Sequence, residues 1–373
     1  QALSRLDAEI EDEEDPATEL LAIKGLCLID LDRHDQMPGV IEQLDERKES
    51  PVALAWRDLL KMLAGPEDPD GPEMLEVCRE AVAQEPGNAM FHYYLGRAYA
   101  AVGEPELAIS EWRSVVQQRR AWPMPLVQMT HALLRRGMVP QAAQAAAAAH
   151  RLAPEILETR VAMALVRFAA RRHIRGDSHE QLLEFVRDIQ TDFPEETVAL
   201  PVEMALLVEL DRRDEVIARL KQVLALEPAP NEQTLLQLAA LSDRHDLGMA
   251  EQVFARIKST HGVTPSLALS RAIDTLKEGD RAAAMQVLDE AGAQAEGDDV
   301  NWRLARAQIK TLAGDSDATD FWKQLATEHE ENLRVQRLAL ESPAAKNDRE
   351  FAAEAIERIK DLTTERGVSW RIA

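Results

Sequence analysis

Asn88-Ala89-Met90-Phe91-His92-Tyr93-Tyr94-Leu95-Gly96-Arg97-Ala98-Tyr99, followed at short range by Gly103, Ala108 and Trp112, is the stretch on which the fold turns. Ala108 marks one phase of a 34-residue spacing that also carries Ala142, Val216, Ala250, Ala284, Ala318 and Ala352; the step from 142 to 216 is two periods plus six residues. A period of that length, carried by paired helical patterns, marks a solenoid in which each unit buries its apolar face only against its neighbours. At 373 residues the chain exceeds what one globular core normally holds. The period selects a stacked array over several separate domains.

Counting outward from 89–122 gives units at 123–156, 157–196, 197–230, 231–264, 265–298, 299–332 and 333–366, with a partial unit at 367–373. In the second of these, Gly137 marks the turn, Ala142 and Ala149 the second helix, and Pro154 the close. The run Ala145 to Ala149 reads as a second helix approached closely by its neighbours, since Ala is the strongest helix former and has a thin side chain. Unit 157–196 is longer, with the excess in Arg171-Arg172-His173-Ile174-Arg175-Gly176-Asp177-Ser178-His179, read as a lengthened turn. Pro194 and Pro228 restore the register, and later closing positions carry Gly262, Glu296, Glu330 and Thr364. Pro201 falls near a helix start, where a missing amide costs little.

Residues 1–88 form a less regular N-terminal part ahead of the 89–373 array. Asp15-Pro16 reads as the cap of a helix over about 17–31, Asp35 and Pro38 open its partner, and 51–64 opens another unit around Trp56. The stretch from Gly65 to Pro72 is too rich in Pro, Gly and acid to be helical. Leu3, Leu6 and Ile10 look like a second helix without its first, while Ser369-Trp370-Arg371-Ile372-Ala373 mirrors Asn301-Trp302-Arg303-Leu304-Ala305. Either the chain is a segment of a longer repeat protein, or its half-units pair end to end between molecules as an open filament.

Between residues 88 and 112 the chain resembles the tetratricopeptide repeat family, in the placement of Tyr94, Leu95, Gly96, Tyr99, Gly103, Ala108 and Trp112. The resemblance implies an all-α, right-handed superhelical solenoid of antiparallel helix pairs, about ten repeats with half-repeats at both ends. It implies that Gly96 lets the first helix approach the second at Ala108, and that Tyr99 and Trp112 fill the space between units. It also implies that the fifth, ninth and twelfth positions of the first helices face a concave groove.

Among those positions, Tyr93, Arg97, Val127, His131, Val161, Leu165, Phe168, Leu235, Leu269 and Ile273 are the candidate partner-binding residues. The Lys, Asn and Arg set with which family members clamp a terminal carboxylate is missing there. An apolar groove edged by acids suits an amphipathic helix or extended peptide carrying positive charge. The implied function is a non-catalytic protein-interaction scaffold. A self-assembling structural protein and the regulatory or substrate-recruiting arm of a larger enzyme are the alternatives.

Composition narrows the classes. The net charge of −23 repels phosphate backbones and anionic lipid unless a basic stripe overrides it. Arg119-Arg120, Arg135-Arg136, Arg171-Arg172 with Arg175, and Arg212-Arg213 are scattered pairs rather than such a stripe, so no nucleic-acid partner is expected. Cys27 and Cys78, alone among apolar residues, read as buried thiols and leave the redox compartment open. There is no apolar run long enough to span a membrane. With Gln1 in first place, any targeting segment is out of view and the compartment stays open.

No catalytic set, metal or cofactor is expected. Glu11-Asp12-Glu13-Glu14-Asp15 lacks the alternating ligands and central glycine of a calcium loop. His173 and His179 read as turn residues, since they lack the spacing of a zinc helix. Neither a Gly-rich phosphate loop nor a Gly-x-Ser-x-Gly elbow occurs.

Overall fold

The computed structural model describes residues 17–65, 71–171, 179–295 and 299–363, together with Leu3, Leu6 and Ile10. The acidic run 11–15, the cap at Asp15-Pro16, turn residues 66–70 and 172–178, Glu296, Thr364 and the 369–373 segment lie outside them. Twenty-one α-helices and one short 3-10 turn, with no strand, make up the described residues. Contacts divide the chain into two compact units, 1–132 with 360–373, and 133–359.

Unit one holds α1 (Thr18–Asp30), a 3-10 turn (His34–Gln36), α2 (Met37–Asp45), α3 (Pro51–Leu63), α4 (Gly71–Gln84), α5 (Ala89–Ala101) and α6 (Pro105–Gln118). It also holds most of α7 (Met124–Arg135). Local chemistry sets the starts. Ser50 accepts from the Ala53 amide at 3.3 Å, with Pro51 as the first helical residue, and Asn88 accepts from Met90 and Phe91 at 3.0 and 3.4 Å. Consecutive helices pack on one another, and α1 also touches α3, so first helices stack on first helices. Leu21, Leu28, Leu59, Leu60, Phe91 and Trp112 are fully enclosed in this packing.

Unit two runs through α8 (Val139–Leu152), α9 (Leu157–Ala170), α10 (His179–Asp192), α11 (Leu200–Glu209), α12 (Arg213–Leu224), α13 (Glu232–Arg244) and α14 (Ala250–His261). It continues through α15 (Pro265–Lys277), α16 (Arg281–Gln294), α17 (Val300–Ala313), α18 (Ala318–Glu328), α19 (Leu333–Glu341), α20 (Pro343–Asn347) and most of α21 (Arg349–Thr363). First helices again contact the first helix of the next pair: α9 with α11, α11 with α13, α15 with α17. Four apolar clusters follow the chain in series, centred on α9–α13, α13–α15, α15–α17 and α17–α21. This serial arrangement is how a repeat array builds its interior from nearest neighbours. Polar ties a period apart reinforce it: Lys277 to Asp243 at 2.6 Å and Arg334 to Asn301 at 3.0 Å.

Three details depart from the periodic reading. Ala108, Ala142, Val216, Ala284 and Ala352 are each the fourth residue of their helix, but Ala250 and Ala318 are the first of theirs, because α14 and α18 begin about a turn later. Pro201 lies in the first turn of α11, which starts at Leu200, where the sequence reading placed it. The first helix of the last pair is split: Pro343 has no amide to continue α19 and Ser342 adopts extended backbone ahead of it, capping α20 through the Ala344 amide at 3.2 Å. His179, read from the sequence as a turn residue, opens α10.

Candidate interaction surface

Helices α5 and α6 meet at a glycine. A Cβ built on Gly96 would lie 2.4 Å from Nε1 of Trp112, so the indole rests directly on the backbone of the first helix. That indole is buried and donates to the Tyr93 carbonyl at 3.1 Å. Ala108, one helical turn before Trp112, is fully buried. Trp112 therefore locks the α5–α6 hairpin. Tyr99 faces the preceding helix, with the Arg79 guanidinium 5.8 Å from its ring. The hairpins stack first helix on first helix, and in α5–α6 a glycine admits a tryptophan between the paired helices. The fold is that of a tetratricopeptide array.

No protein-family model matches the chain, and no curated protein does. Among solved structures, the chain is similar to yeast Tom70 at 14% identity over 97% of this chain and 88% of that one, with a TM-score of 0.47. It is also similar to a Rap protein complexed with competence and sporulation factor, at 15% over 92% and 97%, TM-score 0.49. A tetratricopeptide repeat protein from Parabacteroides merdae gives 11% over 80% and 99%, TM-score 0.45. At these identities and scores the likeness carries no argument about ligands.

The array distributes the ten candidate groove residues unevenly. Leu235 is fully buried and Val127, Val161 and Tyr93 nearly so. Tyr93 stacks on Trp122 with ring centroids 4.6 Å apart and meets Tyr94 edge-on at 5.3 Å. These four belong to the interior, since each is covered by the packing around its helix rather than turned to solvent. Arg97 is exposed, with its guanidinium 5.6 Å from the Tyr94 ring, and His131 is half-buried.

In unit two, Leu165 and Phe168 on α9, and Leu269 and Ile273 on α15, are half-buried, each leaning on an apolar cluster with part of its surface open. Ala205 and Val208 on α11 and Leu276 on α15 are also half-buried, whereas α13 offers nothing, its Leu235, Ala239 and Ser242 all being enclosed. Phe168 is covered by the guanidinium of Arg171 at 3.5 Å, a cation–π contact. Arg171 is held in turn by Glu209, its Nε donating to both carboxylate oxygens at 3.0 and 2.8 Å. This hydrogen bonding, helped by His179, holds the Glu209 carboxyl below the usual range.

Sequence reasoning missed one polar centre. Glu203, on the apolar helix α11, is 2% exposed and accepts from Arg187 Nε at 3.3 Å, Gln190 Nε2 at 2.9 Å and Arg219 Nε at 3.1 Å. Its signal was legible: a single carboxylate inside Leu200-Pro201-Val202-Glu203-Met204-Ala205-Leu206-Leu207, where burying a charge demands partners.

Both thiols are held toward the protonated form. Burial pushes Cys78 up to about 12, and burial with the nearby Asp30 raises Cys27. Among the described residues, no group of three or more His, Cys, Asp or Glu is placed to hold a metal ion. No described helix is long and apolar enough to cross a membrane.

Proposed function

We propose that this chain is a non-catalytic interaction scaffold, and that the half-buried apolar side chains of α9, α11 and α15 in unit two take an amphipathic peptide or helix with basic residues on its polar face. The observation that carries this reading is the recurrence of Leu165, Phe168, Val208, Leu269, Ile273 and Leu276 as partly open apolar residues on first helices. Aliphatic and aromatic anchors of that kind supply affinity, while an acidic surround speeds encounter with a basic partner. The net charge of −23 provides the surround. In the same reading, residues 1–88 are an irregular run of repeats joined to the regular 89–373 array.

The test is binding of the purified chain to a panel of synthetic amphipathic peptides matched in length, with basic, neutral or acidic polar faces. Basic peptides should bind, with association slowing as salt is raised. Replacing Leu269 and Ile273 with Gln should remove binding while the circular dichroism spectrum stays helical. Retained binding by the folded double variant would refute the placement of the surface.

A further inference from the structure

Unit two also contains a polar pocket of about 430 Å³, built by Arg187 and Gln190 of α10, Glu203 of α11, and Glu215, Ala218 and Arg219 of α12. Its floor is the buried Glu203, whose three charge-assisted hydrogen bonds fix both guanidiniums in orientation. Residues at i and i+4 on a helix are neighbours and ordinarily pair when oppositely charged. Glu215 and Arg219 stand at that spacing on α12, yet each is engaged elsewhere: Glu215 by Arg187 and Arg212, Arg219 by Glu203 and Gln190. Ala218, with only a methyl group, leaves the space beside them empty. The pocket therefore presents a carboxylate and a guanidinium one helical turn apart, with the side-chain amides of Gln190 and Gln222 around them and a wall shared between polar groups and the aliphatic stems that carry them.

We propose that this pocket binds a free α-amino acid with a small or polar side chain, its ammonium at Glu215 and its carboxylate at Arg219. Charge decides the class. The four ionised groups of the pocket, Arg187, Arg219, Glu203 and Glu215, sum to zero, so neither a bare anion nor a bare cation finds net attraction inside it. A bare anion is also repelled by a molecule of charge −23, and a bare cation is drawn to every acidic stretch of the surface alike. A zwitterion feels no net pull from that field, and opposite charges already held in place recognise it. Because Glu203 fixes the arginines before the ligand arrives, little ordering is left to be done on binding. The volume is in the range of small-molecule sites.

Isothermal titration of the full chain with the twenty standard amino acids, and with acetate and methylammonium as the two halves of the zwitterion, tests this. Saturable binding is expected for a subset of polar amino acids at millimolar concentration or below, and for neither half alone. Glu215→Gln should weaken that binding about tenfold, the effect of losing one charge-assisted contact. Ala218→Leu, an exposed position whose change leaves every charged group in place, should abolish it by filling the space. Three outcomes would overturn the proposal: no amino acid binds, acetate or methylammonium binds as well as the best amino acid, or Ala218→Leu leaves affinity unchanged with the helical spectrum intact.

Discussion

At the scale of single residues, the hairpin α5–α6 turns on the absence of one methyl group. A Cβ at Gly96 would sit 2.4, 2.7 and 2.8 Å from Nε1, Cδ1 and Cε2 of Trp112, well inside contact distance. The indole is pinned by burial and by its hydrogen bond to Tyr93. Gly96→Ala gains helix propensity of about 1 kcal/mol, but displacing a locked ring costs roughly 1–3 kcal/mol and should leave a net loss. Gly25 is the comparison, since its Cβ would meet Leu60 Cδ1 at 2.6 Å, the tip of an aliphatic side chain held by packing alone rather than a hydrogen-bonded ring. Thermal melts should rank Gly96→Ala as more damaging than Gly25→Ala, and the reverse order would refute the account. The sequence made the small residue at 96 legible, but not its partner. Ala108 and Trp112 are one turn apart on the same helix face, and spacing alone could not say which of them touches Gly96.

At the scale of helices, the period located nearly every element and missed where some begin, because starts are set by turns rather than by core spacing. The link before α14 is the clearest case. Asp246 and Gly248 both take left-handed backbone, with φ of 51° and 69°, and Arg213 donates to the carbonyls of His245 and Asp246. Five residues, 245–249, are thereby held outside helix, against three at 102–104. Ala250 becomes a first residue and is half-buried, while Val253 and Ile257 take the interior. Ala284, one period on, keeps the inner place and is fully buried. Ala284→Trp should therefore destabilise by about 1–3 kcal/mol through overpacking, and Ala250→Trp, at a half-buried first residue, by less. Equal shifts in a denaturant titration would show that the difference in helix start has no energetic consequence. Pro343 was equally visible, and its break between α19 and α20 follows from local chemistry that a period count ignores.

At the scale of the whole molecule, nearest-neighbour packing supplies the interior while charge works against compactness. The candidate surface was only partly legible for this reason: helical periodicity marks which side chains are apolar, but burial in an array depends on what the adjacent hairpin places over them. Leu235 and Leu269 share a register position, and one is sealed while the other is open. The pocket around Glu203 needed three helices, α10, α11 and α12, to be placed before it existed at all.

The electrostatic balance is readable from composition and gives the last prediction. Sixty-six carboxylates face 43 Lys and Arg. The paired ones are mostly partly exposed contacts such as Lys277–Asp243 and Arg306–Asp289, each contributing about 0–1 kcal/mol. The excess acids repel over distances beyond the Debye length of about 8 Å at physiological salt, and those long-range terms are screened before the contact pairs are. Raising sodium chloride from low concentration to the physiological range at pH 7 should therefore raise the melting temperature. A fall on adding salt would mean that the ion pairs outweigh the repulsion and that the surface is tuned for pairing rather than for its negative field.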